Sequence, residues 1–218
     1  MTSETRPSIG ALAFFAMPLC YIAMFVIYAV LLDFPQGEDL TEKIAYVAAH
    51  QSLLALANSI GYLVFGGLLL IAVQAVHRRF SVAAADMLNS ASAFGFIWVV
   101  LMMCSGMIAL VGMDTMITLH GKGSAHAESL FVSYTTLVNA LGGGIELVGG
   151  LWVLLLSICG LRHDLLTKGL HVLGLIVGVL GICTVYQGIP EFKDAFGLSQ
   201  VIWFIWMGIA LLRSKSEA

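Results

Sequence analysis

Residues 130–189 read LFVSYTTLVNALGGGIELVGGLWVLLLSICGLRHDLLTKGLHVLGLIVGVLGICTVYQGI. Two long apolar runs flank the short basic turn RHDLLTK at 162–168. Run length settles the fold class, because about 20 apolar residues wound as an α-helix cross the hydrocarbon core of a bilayer. The run 170–189 has that length, and 130–161 exceeds it, so the longer one must tilt, bend or begin outside the membrane. Strands of a membrane barrel would need only about 10 residues of alternating character, and no such alternation is present.

Four more runs lie outward from this hairpin, at 9–32, 53–76, 87–113 and 196–212. The expected fold is therefore an all-α polytopic membrane protein, one domain of six transmembrane helices over 1–218. Composition agrees: 60% of the 218 residues are hydrophobic and 11% are charged, against about 25% charged in soluble domains. So much apolar side chain cannot be hidden in one small core, and lipid must solvate part of the surface. The first run lacks a charge over its whole length, too long for a signal-peptide core, and is read as a retained span. The net charge of −3 and the lack of a basic run speak against nucleic acid as a partner.

Charge between the runs sets the orientation. With a cytoplasmic N-terminus the inner segments hold Arg6, Arg78, Arg79, Arg162, Lys168, Arg213 and Lys215, and the outer ones only Lys43, Lys122 and Lys193. This is the positive-inside asymmetry, and it places both termini in the cytoplasm. Most acids, among them Asp33, Glu38, Asp39, Glu42, Asp114, Glu128, Glu191 and Asp194, then fall outside. In the first outer segment Leu40, Ile44, Val47 and Ala48 share a helical face. Two readings fit it: an interfacial amphipathic helix, or an early start of the second span. The second outer segment, HGKGSAH at 120–126, reads as a flexible glycine-rich loop. Pro18 is expected to kink the first span, which neighbouring helices can tolerate.

Glu146 is the residue of most chemical interest, the one acid inside an apolar run. A charge at that depth costs at least about 2.5 kcal/mol, so the side chain must face protein or water. On an unbroken helix Thr135, Asn139, Gly142, Glu146 and Gly150 fall on one stripe of small and polar residues, the kind that packs against other helices. The glycines of GGGIELVGG weaken the helix beside the carboxylate, each by about 1 kcal/mol relative to alanine. Asn58 occupies a matching place in the second span. There LANSIG, Gly66-Gly67 and Arg78 parallel LVNALG, Gly149-Gly150 and Arg162, a hairpin repeat of 53–113 with 130–189. Thr135, Asn139, Asn58 and Glu146 are thus the expected ligand-binding residues; the competing reading makes Glu146 hydrogen-bonded glue between helices.

Other polar residues carry less. His120 and His126, with Asp114 and Glu128 beside them, are of the types that ligate transition metals, but His-x5-His-x-Glu fits no metal motif, and a solvated loop is the reading preferred. His77, His163 and His171 are expected at headgroup depth, and Trp98, Trp152, Trp203 and Trp206 facing lipid or the interface. The four cysteines, all within apolar runs, behave as small apolar side chains. Gly174-x-x-x-Gly178 with Gly181 predicts close helix approach, within the chain or in a homodimer or larger membrane complex. No phosphate-binding loop, HExxH or GxSxG is present, and no cofactor is expected.

The stretch GLWVLLLSICGLRHDLLTKGLHVLGLIVGVLG at 150–181, with six spans and cytoplasmic ends in 218 residues, resembles a bacterial six-span membrane family known only as domain of unknown function four-three-eight-six. The resemblance implies a multi-pass place in the bacterial inner membrane and brings no reaction, cofactor or site residue. Three function classes remain. The first is transport or sensing of a small solute or cation through a polar pocket around Glu146. The second is an accessory or assembly subunit of a membrane complex. The third, the least supported, is a membrane-embedded enzyme acting on lipid or quinone, which would need more than one convergent polar group.

Overall fold

A computed structural model of the chain describes residues 9–37, 39–81 and 85–213; Arg6, Glu38 and Lys215 lie outside them. Among the described residues every regular element is helical, as backbone in hydrocarbon requires when no water is present to satisfy it. The elements are α1 (Ile9–Phe25), α2 (Leu40–Ala49), α3 (Gln51–Asn58), α4 (Phe65–Phe80), α5 (Ala85–Gly121), α6 (His126–Val138), α7 (Leu147–Arg162), α8 (Lys168–Cys183) and α9 (Glu191–Arg213). Three π-helical segments interrupt the α geometry at Val26–Leu31, Ser59–Val64 and Asn139–Gly143.

Among the described residues five stretches are long and apolar enough to cross a bilayer: Ile9–Leu31, Gln51–Phe80, Asp86–Gly121, His126–Arg162 and Glu191–Arg213. The chain is thus an all-α, multi-pass membrane protein. The expected fifth span is the exception. α8 stops at Cys183 after 16 residues, about 24 Å of helix, instead of running to 189. Thr184 ends it: its hydroxyl donates to the Gly181 carbonyl at 2.6 Å, and Gln187 Nε2 donates to the Thr184 carbonyl at 2.6 Å. Pro190 follows, and the residue before a proline avoids the α region. The last span gains what this one loses, starting at Glu191 where 196 was expected. The 120–126 loop also shrinks. α5 runs through Gly121 and α6 begins at His126, joined by a tight turn in which Gly123 takes a left-handed φ of +65°.

The chain forms two compact units. The first comprises the described residues of Met1–Leu19, Gly67–Val99 and Ile145–Ala218. Its core is aromatic: Trp98, Trp152 and Trp203 are each at most 1% exposed, correcting the expectation that they face lipid. Ring centroids lie 5.9 Å apart for Trp98 and Trp152, 5.7 Å for Trp152 and Trp203 and 6.0 Å for Phe14 and Trp203. Such tilted and edge-on pairs exceed their area burial by about 0.5–1.5 kcal/mol each. Trp206 remains partly exposed.

Glycines set the α7–α8 contact in this unit. A Cβ on Gly178 would sit 2.6 Å from Leu154 Cβ and 2.9 Å from the Gly150 carbonyl oxygen; one on Gly181 would sit 2.7 Å from Gly150 Cα. The Gly174-x-x-x-Gly178 spacing is therefore used inside the chain. Two of the histidines expected at headgroup depth turn inward, while His163 stays exposed. His171 is buried and its Nε2 meets the Leu165 carbonyl at 2.5 Å, fastening the turn in which Asp164 and Leu166 take left-handed φ values of 50° and 57°. His77 Nδ1 pairs with Ser92 Oγ at 2.8 Å. Neither needs a headgroup.

The second unit comprises Cys20–Gly66 and Val100–Gly144, with all three π segments. In it α2 is a helix of its own, so the early-start reading fails. Asp39 caps it, accepting from the backbone of Thr41 at 2.8 Å and Glu42 at 3.4 Å, and His50 (φ −113°, ψ 20°) separates it from α3. Its apolar residues Ile44 and Val47 are buried in protein, and Thr41 Oγ1 donates to Glu128 Oε1 at 3.0 Å, tying α2 to α6.

The α7–α8 contact gives a direct test. Gly178→Leu should lower stability by at least about 1–3 kcal/mol, the usual cost of overpacking, read as a fall in thermal midpoint in detergent. Gly197→Ala, with open space at its Cβ, should leave the midpoint unchanged or slightly raised.

Candidate ligand-binding cavity

The irregular backbone of the second unit surrounds a cavity of about 350 Å³. Each π segment contributes to its wall: Tyr28 from the first, Tyr62 from the second with Asn58 just before it, and Asn139 from the third. A π turn shifts the register of the side chains after it, and such turns recur at functional sites. Here they turn two amides and two phenols toward one space. Gly61 lets the walls close, since a Cβ there would fall 1.7 Å from Met24 Sδ, and Met24 itself lines the cavity. Val47 of α2 and Phe34 of the preceding extended segment also line it. Phe34 packs edge-on to Tyr46 at 5.2 Å, and Tyr46 stacks on His50 at 4.1 Å.

The structure brings three of the four sequence-predicted residues together. Asn58, Thr135 and Asn139 all line the cavity. Tyr28 donates its hydroxyl to Asn58 Oδ1 at 3.3 Å, which leaves the NH2 side of that amide for another partner. Thr135 donates to the Phe131 carbonyl at 2.7 Å, a bond to its own helix that keeps its oxygen available as an acceptor. Among the described residues the Asn139 side-chain amide forms no hydrogen bond. The remaining wall is apolar or aromatic, including Leu54, Ala109, Met113, Phe131, Tyr134 and Val138. Among the described residues no acidic or basic side chain lines the space.

Glu146 stands elsewhere. The stripe predicted through Thr135, Asn139, Gly142, Glu146 and Gly150 requires one unbroken helix, and the helix breaks. Gly142 has φ 162° and ψ 8°, Gly144 has φ −161° and ψ −20°, and α7 restarts at Leu147 with Glu146 in the cap position. The three consecutive glycines at 142–144 weaken the helix here, each by about 1 kcal/mol relative to alanine. The stripe therefore ends at Asn139, and Glu146 belongs to the first unit and is absent from the cavity wall. There its backbone N–H donates to Thr184 Oγ1 at 2.8 Å, and its carbonyl accepts from the Gly150 N–H at 2.8 Å. Its Oε2 is buried without a hydrogen-bond partner among the described residues.

The outer residues do not converge on a metal. Among the described residues no group of three or more His, Cys, Asp or Glu side chains is placed to hold one. Asp114 instead accepts from Gln51 Nε2 at 3.3 Å, and Glu128 is engaged by Thr41. Sequence reasoning missed the tyrosines, Tyr28, Tyr62 and Tyr134. Tyr134 was within reach, being four residues before Val138 on the face of α6 that carries Thr135 and Asn139; the other two depend on π turns that no residue pattern announces.

Fold and cavity together define a class: a multi-pass, all-α membrane protein with a small-molecule-sized space inside its helices. No protein-family model, curated protein or solved structure matches the chain.

The repaired helix break makes a stability prediction. Thr184→Val removes the hydroxyl that receives the Glu146 N–H and should cost about 1–3 kcal/mol, the penalty of a buried unpaired donor. Thr184→Ser should retain most of that stability in the same detergent unfolding measurement.

Proposed function

We propose that the protein binds a small uncharged molecule in the cavity of its second unit, as a membrane sensor or carrier. The observation that supports this most is the chemistry of the wall: amides and hydroxyls at Asn58, Asn139, Thr135 and Tyr28 set into an apolar, charge-free surface. Ligand sites have this make-up, a mostly apolar concavity with a few polar groups that fix orientation, and about 300–1,000 Å³ is their usual size. A bare cation is poorly served there, since no carboxylate faces the space to replace its hydration. Among the described lining residues there is no acid–base pair and no nucleophile with a base, the groups catalysis would call on. The polar pocket expected around Glu146 thus moves to Asn58 and Asn139. A place in the bacterial inner membrane, with both termini cytoplasmic, comes with this proposal from the family resemblance and the basic turn at 162–168.

The test is a thermal-shift screen of the purified protein against short alcohols, ketones, quinones and matched ions. An uncharged compound should raise the midpoint of the wild type. Ala109→Phe, which fills the cavity from a 4%-exposed wall position, should abolish the shift, and Glu146→Gln should preserve it. A shift given only by ions and lost in Glu146→Gln would overturn the proposal.

A further inference from the structure

The second unit holds another depression, and its position bears on what the cavity takes. A groove of about 440 Å³ runs along α5 and α6, lined by Met107, Val111, Gly112, Leu130, Tyr134 and Leu137 among others. Met107, Val111 and Leu137 are each more than half exposed, and they belong to stretches apolar enough to cross a bilayer, so this face meets acyl chains. The groove's two aliphatic hydroxyls, of Thr115 and Ser133, are turned to their own helices. Thr115 donates to the Val111 carbonyl at 2.8 Å, and Ser133 donates to the Ser129 carbonyl at 2.7 Å. An i−4 bond of this kind satisfies the donor locally. What the groove presents outward is hydrocarbon.

Tyr134 lines both spaces. It packs on Gly112, where a Cβ would lie 2.6 Å from Tyr134 Cγ, so its side chain stands where the two spaces come nearest along α6. A tyrosine here has two properties that suit a partition. It closes the wall with one flat ring, and a rotation about its side-chain torsions opens it without moving a helix.

Resting on the cavity reading above, the geometry points to an uncharged amphiphile drawn from the bilayer as the ligand. It reaches the cavity across the α5–α6 groove, with Tyr134 as the movable partition. The apolar part of such a molecule crosses the groove with no change of solvent, lipid tails and groove wall being equally apolar. Its polar end exchanges no charge and finds the Asn58 and Asn139 amides on the far side. An ion on the same route would lose its water against a wall that offers nothing in return.

The experiment uses the full chain in phosphatidylcholine vesicles with two photoreactive probes, a diazirine-bearing fatty alcohol and its trimethylammonium counterpart. Labelled peptides are mapped by mass spectrometry. The alcohol should label both the groove (107–115 and 130–137) and the cavity wall (24–28 and 54–62), and the ammonium probe only the groove. Asn58→Leu should lower cavity labelling by about tenfold, the equivalent of one lost hydrogen bond. Tyr134→Trp should reduce cavity labelling and Tyr134→Ala should raise it, each leaving groove labelling unchanged; either variant alone decides the point. Cavity labelling that is indifferent to position 134, or equal for the two probes, overturns the route and the ligand class while leaving a cavity site in place. If neither the probes nor any compound of the thermal-shift screen reaches the cavity, the binding reading itself falls.

Discussion

Everything in this chain answers to the absence of water in the hydrocarbon core. A backbone N–H or C=O that loses its helical partner there must find another within the protein. Uniform α-helix is the simplest answer, and most of the chain adopts it. The departures are informative because each must be repaired or enclosed. At 142–146 the helix is fully broken, and Thr184 of the turn after α8 takes up the freed N–H of Glu146 at 2.8 Å. The same threonine terminates α8 through the Gly181 carbonyl. One hydroxyl thus mends one break and makes one stop, and that double duty is why the fifth run is short.

The two units use their residues differently. The first packs bulk against absence: three tryptophans and Phe14 form its core, and glycines on α7 and α8 let two backbones nearly touch. Among its described residues no π turn occurs. The second holds all three π segments, and they line a half-open cavity. π turns are rare and recur at functional sites, and here three of them contribute to the wall of one space. The paired Asn-x-x-Gly sequences at 58–61 and 139–142 both begin or adjoin these turns, and this shared local structure places both asparagines on the cavity wall.

The spans were legible because run length is a cumulative signal that no single residue can spoil. Their ends were less so: α5 passes Met113 to Gly121, and α9 starts at Glu191, since polar residues such as Asp114 and His120 are free to extend a helix once it leaves the hydrocarbon. Asn58, Thr135 and Asn139 were identifiable as polar residues among apolar ones. The location of Glu146 was not, because the stripe argument assumes a continuous helix and the three glycines before it cancel that assumption. The glycine run was itself a readable warning, and it argued for a break more strongly than for a shared face. The tryptophans misled for a different reason. Their common place in membrane proteins is the interface, but Gly95 and Gly149 clear room for the Trp98–Trp152 pair, a signal visible only once the helices are paired.

The central claim is that the charge-free space beside Asn58 and Asn139 is an occupied binding site in the native membrane. Native mass spectrometry of the protein extracted from its own membrane in mild detergent tests this most directly, with Asn58→Leu alongside. A discrete small-molecule adduct is expected on the wild-type chain, lost in Asn58→Leu while that variant stays folded. An adduct carried equally by both chains, or a wild-type protein uniformly free of any, would contradict it.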